Sequence, residues 1–165
     1  MTLEERLQRL EDDRAIRDLK ARYLRACDTK DHEAVHDCLL PDAAIRYEGF
    51  PEFDNRDDFV AVYRQFGCVP GVFDMHHAAN GIIAFTGDDT ATGQWSLTFQ
   101  TIILANRSVT QFGIEYDDTY VRQDGRWWIA ETASRRKSVL VQTVDEAGQI
   151  TVVALGESDA AFGEG

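Results

Sequence analysis

The chain has 165 residues, 44% apolar and 28% charged, the proportions of a soluble globular protein with enough length for one core. Its 17 Lys and Arg stand against 29 Asp and Glu, a formal net charge of -12, which argues against nucleic-acid and anionic-membrane partners because phosphate binding needs clustered cations. No stretch approaches the roughly 18 consecutive apolar residues of a membrane span, the first residues lack a signal peptide's apolar run, and Cys27, Cys38 and Cys68 form no CxxC, so a cytoplasmic protein with reduced thiols is expected.

Thr2 and Glu5 have capping-box spacing and start a helix near Leu3. Leu3, Leu7 and Leu10 share one face of it. Asp12 and Asp13 open a second helical segment, in which Ile16, Leu19, Tyr23 and Cys27 recur at helical spacing. Asp28 lies at the edge of that apolar face, near the helix end. Asp31 caps a short helix whose Ala34, Val35, Cys38 and Leu39 point inward, and Pro41 stops it.

A short strand follows over 42–48, then a loop over 49–55 and a helix over 56–66 with Phe59, Val60, Tyr63 and Phe66 on its inner side. After a loop over 67–71, the stretch from Asp74 to Phe85 begins with His76 and His77 and ends in apolar strand sequence. The turn at 86–89 closes it. Long strands are expected over 90–105, 109–122 and 126–140, the last two joined by a hairpin turn at Gln123, Asp124 and Gly125. A final hairpin pairs 141–144 with 150–155. Helices followed by antiparallel strands make an α+β pattern, with helices on one face of a bent sheet.

His32, Glu33 and His36 match H-E-x-x-H, the spacing that puts two imidazoles on one helix face for zinc. The extended motif is absent, since Leu39 and Asp42 stand where Gly and His would follow, so the segment reads as an exposed helix start. His76 and His77 point to opposite faces of a strand. Strict alternation turns His77 inward with Ile83 and Phe85. A bulge at Gly81 would shift the parity and turn His76 inward, so the choice is open. Either is a candidate for proton transfer.

Asp28 is unfavourable near a helix C-terminus, a misfit expected of a residue kept for another task. A carboxylate on an imidazole fixes its tautomer and raises its basicity. Tyr23, one turn earlier, could donate to an oxyanion. Trp95, Phe99, Trp127 and Trp128 are a large aromatic load, mostly core, with some available to wall a ligand site. Of Arg135 and Arg136, one must face inward or lie at the sheet rim, and an inward Arg needs a partner.

Taken together, several motifs resemble the SnoaL-like branch of the nuclear transport factor 2-like superfamily over about residues 5–140. They are Ala15 to Asp28, Leu40 to Ala44, His76 to Asn80, Gly87 to Thr92, Tyr116 to Arg122, and Gly125 to Ile129 leading into Arg135 and Arg136. Scytalone dehydratase, a bile-acid dehydratase and hexachlorocyclohexane dehydrochlorinase belong to that branch. The resemblance implies a cone-shaped, strongly curved antiparallel sheet closed by N-terminal helices around an internal apolar pocket. A single SnoaL-like domain over 1–156 is expected, and the small, acidic composition of 157–165 reads as a flexible tail. The resemblance also implies an Asp–His pair, which falls on Asp28 and His76, with Tyr23 and Arg135 as further catalytic positions. Asn80, Trp95, Phe99 and Tyr116 are the candidate pocket residues. A second acidic residue on a middle strand has no counterpart between Thr90 and Gln100.

The function expected is a dehydratase-like lyase or isomerase acting on a small apolar ring compound such as a steroid, polyketide or aromatic metabolite. It would use no cofactor and no metal, and the chain would self-associate as a homodimer or homotrimer. The alternative is a non-catalytic binding or assembly module of the same fold.

Overall fold

The computed structural model describes residues 1–157, and the expected acidic tail lies almost entirely outside the described residues. Helix α1 spans Leu3–Thr29, α2 His32–His36 and α3 Arg56–Phe66; the strands are β1 Leu39–Tyr47, β2 Val72–Phe85, β3 Thr90–Ile103, β4 Ser108–Gln123, β5 Arg126–Val144 and β6 Ile150–Gly156. They form one mixed sheet in the order β1-β5-β4-β3-β2. β1 runs parallel to β5 along Ala44 to Tyr47, and β6 pairs antiparallel with the later half of β5. The other pairings are antiparallel. The helices lie on the concave side, and among the described residues none is long and apolar enough to cross a membrane.

The expected capping box starts α1: the Thr2 hydroxyl accepts from the Glu5 backbone N–H, and the Glu5 carboxylate accepts from the Thr2 N–H. The helix then continues unbroken through Asp12 and Asp13, where a second segment was expected to open. Asp12 does not cap a helix. Its buried carboxylate accepts from Trp127 Nε1 at 2.8 Å and Arg122 Nη1 at 3.1 Å, pinning mid-helix to the β4–β5 hairpin. Upstream of this clamp Leu3, Leu7 and Leu10 are exposed. Downstream, Ile16, Leu19, Tyr23, Leu24 and Cys27 enter the core at helical spacing. Lys30, in the left-handed region at φ 61°, ends the helix by donating its N–H to Ala26 and Cys27 carbonyls.

Pro41 sits inside β1, since α2 has already ended at His36. The strand tolerates it because the register with β5 slips between Leu39 and Ala44, so Pro41 interrupts no ladder hydrogen bond. The β2–β3 pairing also slips, between Ala79 and Ile82. Asn80 takes φ 53° there, a backbone that Asn adopts more readily than most residues. Gly81 is required for packing: a Cβ on it would lie 2.3 Å from Cζ3 of Trp95. Arg17 holds the same bulge from the helix side, donating to the Gly81 carbonyl at 3.1 Å.

Candidate functional site

The bulge decides which histidine enters. Residues 72, 74 and 76 face the concave side before it, and 81, 83 and 85 after it, so His76 is half-buried and His77 exposed. The last turn of α1 delivers Asp28 beside His76. One Asp28 oxygen lies 2.6 Å from His76 Nδ1, and both oxygens accept from the His76 backbone N–H at 3.0 and 3.2 Å. The side chains are 15% and 26% exposed for His76 and Asp28, within reach of a small molecule yet held in place. With Asp28 accepting from Nδ1–H, the neutral ring carries its lone pair at Nε2. The imidazole lies against Phe99, ring centres 4.6 Å apart. Gly81→Ala should therefore cost more than its packing strain of about 1–3 kcal/mol. Displacing the bulge should also pull His76 from Asp28, and the loss of the Nδ1–H proton signal in an NMR spectrum is the readout.

Tyr23 stands five residues before Asp28, about 7.5 Å earlier along the helix, and is buried. Its hydroxyl lies 2.6 Å from that of Tyr47, which donates to Thr132 Oγ1 at 3.3 Å. Tyr47 went unnoticed in the sequence because only the parallel pairing of β1 with β5 brings it there, opposite Ser134. Burial holds the Tyr23 hydroxyl well above its ordinary value of 10.0, with the neighbouring Tyr47 adding to this. Burial raises Tyr47, Tyr63, Tyr116 and Tyr120 in the same direction, and pushes the Cys27 thiol up to about 12. Both phenols of the pair are thus neutral hydrogen-bond donors.

All five tyrosines are held protonated. Their raised values add stability that is fully present below the unfolded value of about 10 and is lost as pH rises beyond it. Ultraviolet absorbance should show almost no tyrosinate in the native protein at about pH 11. The five should then ionise together in one cooperative step as the fold is lost. A gradual rise with intact near-ultraviolet dichroism would contradict this.

The four expected pocket residues part company. Phe99 lines the concave face beside His76. Trp95 is sealed in the core, wedged against Gly81 with its Nε1 donating to the Tyr120 hydroxyl at 3.1 Å. Tyr116 is buried too, its ring capped by Lys20 Nζ at 3.9 Å and flanked by Tyr47. Asn80 is exposed at the bulge, and backbone conformation accounts for it without a ligand.

Arg135 is not on the pocket side. It is 65% exposed on the outer face, paired with Glu115 and Asp117 at 3.5 and 3.2 Å. Thr132, Ser134 and residue 136 face inward, so the odd-numbered Arg135 faces out and Arg136 is the inward arginine. Its guanidinium lies 4.6 Å over Phe112, and burial lowers its pKa. His36 is engaged with Asp57, Nε2 to Oδ1 2.8 Å, and among the described residues no cluster of His, Cys, Asp and Glu has a metal-binding arrangement.

Two residues missed by the sequence reading lie beneath the site. Lys20 and Asp118 form an ion pair of 2.8 Å with side chains 1% and 0% exposed. Asp118 on β4 is the buried acidic residue of the concave face, and it also accepts from the Tyr120 hydroxyl at 2.7 Å. Helical spacing places Lys20 one residue from Leu19 on the inner face, a signal that its charge obscured.

A cavity of about 410 Å³ opens against Asp28, lined also by Lys30, Cys68, Pro70, Phe73 and Asp74, with Lys30 paired to Asp74 at its edge. His76 does not line it, because its ring turns onto Phe99. A second hollow of about 330 Å³ lies around Asp12, Arg122 and Trp127, where the helix is clamped to the hairpin.

Residues 8–133 match the family model of the SnoaL-like domain. Solved structures of similar fold include a scytalone dehydratase-like protein of Novosphingobium aromaticivorans at 20% identity, with a TM-score of 0.73 over 79% of this chain and 87% of that one. A hexachlorocyclohexane dehydrochlorinase, LinA-type3 of Novosphingobium barchaimii, aligns at 19% identity with a TM-score of 0.71, covering 90% of this chain and 94% of its own. A LinA type 2 dehydrochlorinase aligns at 18% identity with a TM-score of 0.73, covering 90% and 93%. At these identities the likeness is one of fold.

Proposed function

The chain belongs to the SnoaL-like domain family, and from that premise we propose that it is a cofactor-independent acid–base enzyme, a dehydratase-like lyase or an isomerase, acting on a small apolar ring compound. The observation that carries this reading is the 2.6 Å contact between Asp28 and His76 Nδ1. A histidine so held is a general base at Nε2, with its tautomer set by the carboxylate.

In this reading Nε2 removes a proton from a carbon next to a carbonyl or other electron-withdrawing group. The electron pair of the broken C–H bond passes into the enolate, and then either expels a leaving group from the next carbon, a hydroxyl departing as water with the proton that His76 took up, or forms a new C–H bond at another carbon with that same proton. The negative charge that develops on the carbonyl oxygen is met by Tyr23, whose O–H turns to it from the Tyr47 oxygen. A donor in such a dry site is worth more to a developing charge than the same donor in water. Arg135, on the outer face, has no part in it. The names of the structural neighbours, a dehydratase-like protein and dehydrochlorinases, support elimination as the reaction class.

The test is incubation of the purified protein with cyclic β-hydroxyketones, cyclic β,γ-enones and alkyl halides on a ring. Loss of water, migration of the double bond or loss of halide is followed by absorbance and mass spectrometry. Formation of the unsaturated or conjugated product supports the reading. Ligands that bind yet are recovered unchanged across the panel favour a binding module.

A further inference from the structure

The proposed chemistry uses one edge of the concave face. The register across the sheet shows what stands at the other. Directly opposed residues of antiparallel strands share a face, and two adjacent rows cross from β2 to β5. One runs His76, Phe99, Phe112, Val139, and its neighbour runs Ala78, Leu97, Ile114, Arg136.

The rings in these rows touch in sequence. His76 lies 4.6 Å from Phe99, Phe99 stacks on Phe112 at 6.0 Å with planes 10° apart, and the Arg136 guanidinium sits 4.6 Å over Phe112. An aromatic track thus leads from the imidazole to a cation. Phe99, Phe112 and Ile114 along it are half-buried, whereas Trp95 and Tyr116, one row deeper, are sealed. Solvent reaches the track, whereas the row beneath it is closed to solvent.

The far end is shaped around the guanidinium. Glu48 accepts from the Arg136 backbone N–H at 2.6 Å. Gly49, at φ 82°, faces the guanidinium so closely that a Cβ there would lie 2.6 Å from Nη2. The Phe50 ring centre lies 6.0 Å from the guanidinium. Arginine suits such a place, since its planar fork stacks on rings and grips a carboxylate through two parallel bonds. With five N–H donors, a guanidinium can serve a protein carboxylate and a second anion together.

Resting on the acid–base reading above, we propose that Arg136 is an anion subsite. The substrate is then a flat, fused-ring molecule carrying a carboxylate at the end remote from the carbon that loses its proton. β2 and β5 are three strand spacings apart, roughly 14 Å, the span of a fused polycyclic skeleton and more than a single ring covers. The ring plane lies along Phe99 and Phe112, the carboxylate is held by Arg136, and the opposite end of the skeleton meets His76 Nε2.

The test uses unreactive probes, so it reads binding alone. Anthracene carboxylate and its uncharged alcohol counterpart are titrated by their own fluorescence into wild type, Arg136→Gln, Arg136→Lys and Lys137→Gln. Lys137 carries the same charge on the outer face, where it pairs with Glu115. Wild type should bind the carboxylate about ten-fold or more tightly than the alcohol, the worth of hydrogen bonds to a charged group. Arg136→Gln should erase that preference and leave the alcohol unchanged, Arg136→Lys should keep part of it, and Lys137→Gln should keep all of it. Equal binding of both probes by wild type, or equal weakening of both in Arg136→Gln, overturns the subsite. A protein that shows no preference but turns substrates over through His76 keeps the acid–base reading and loses the subsite. An Arg136-dependent preference without turnover does the reverse.

Discussion

His76→Ala should lower turnover by roughly 10²–10⁴-fold, the usual worth of a general base, while circular dichroism stays that of the wild type. The fold should survive because the imidazole lies at the half-open end of the concave face, and the sealed core beneath it is built from other side chains. The truncation leaves Asp28 in place, still accepting from the residue 76 backbone N–H. Added imidazole should therefore restore part of the rate. Asp28→Asn should damage the rate comparably without touching the base. An amide can present its N–H to Nδ1, which favours the tautomer with the proton on Nε2, where the lone pair is needed. Full activity in His76→Ala, measured on any compound that wild type converts, would sink the assignment of the base.

The second large effect concerns stability. Lys20→Met should destabilise the protein by about 3–5 kcal/mol, because it strands a buried carboxylate without its cation. The pair is sealed, with side chains 1% and 0% exposed. The ammonium is 2.8 Å from one Asp118 oxygen but off the hydrogen-bond direction, and the other Asp118 oxygen has no hydrogen-bond partner among the described residues. The attraction is therefore mainly charge on charge in a dry setting, with Tyr116 offering its ring face to the ammonium at 3.9 Å. For domains that are stable by only about 5–15 kcal/mol, such a loss is a large share. It should lower the melting temperature by roughly 10 °C for a chain of this size. Lys20→Met with Asp118→Asn should regain much of the loss. The amide is neutral, and its oxygen can still accept from the Tyr120 hydroxyl. Urea unfolding with unchanged slope is the measurement. An unfolding free energy for Lys20→Met within about 1 kcal/mol of wild type would mean that the pair does not hold the core.

The two effects are separable by position. Lys20 and Asp118 lie beneath the sealed row of Trp95 and Tyr116, and the dyad lies above it. A variant in the lower layer should lose melting temperature first, and one in the upper layer should lose rate first.

The sequence by itself determined the parts that local chemistry dictates. The capping box at Thr2 and Glu5 started α1 where expected, and the Asp124–Gly125 turn joined β4 to β5. The weak strand sequence before Gly81 marked the bulge, and the motifs from Ala15 to Asp28 and from His76 to Asn80 indicated the family. These signals lie within a few residues of one another, so composition and spacing can carry them. What needed the tertiary structure was parity and pairing between distant segments. Whether His76 or His77 turned inward depended on how many residues the bulge absorbed against β3. The choice of Arg136 over Arg135 depended on the register of β5 against β4. Asp12 passed for a helix start because its partners, Arg122 and Trp127, lie more than a hundred residues further along the chain. Lys20 and Asp118 went unnoticed for the same reason. A buried charge looks like an exposed one in sequence, since what distinguishes them is the partner that folding brings to it.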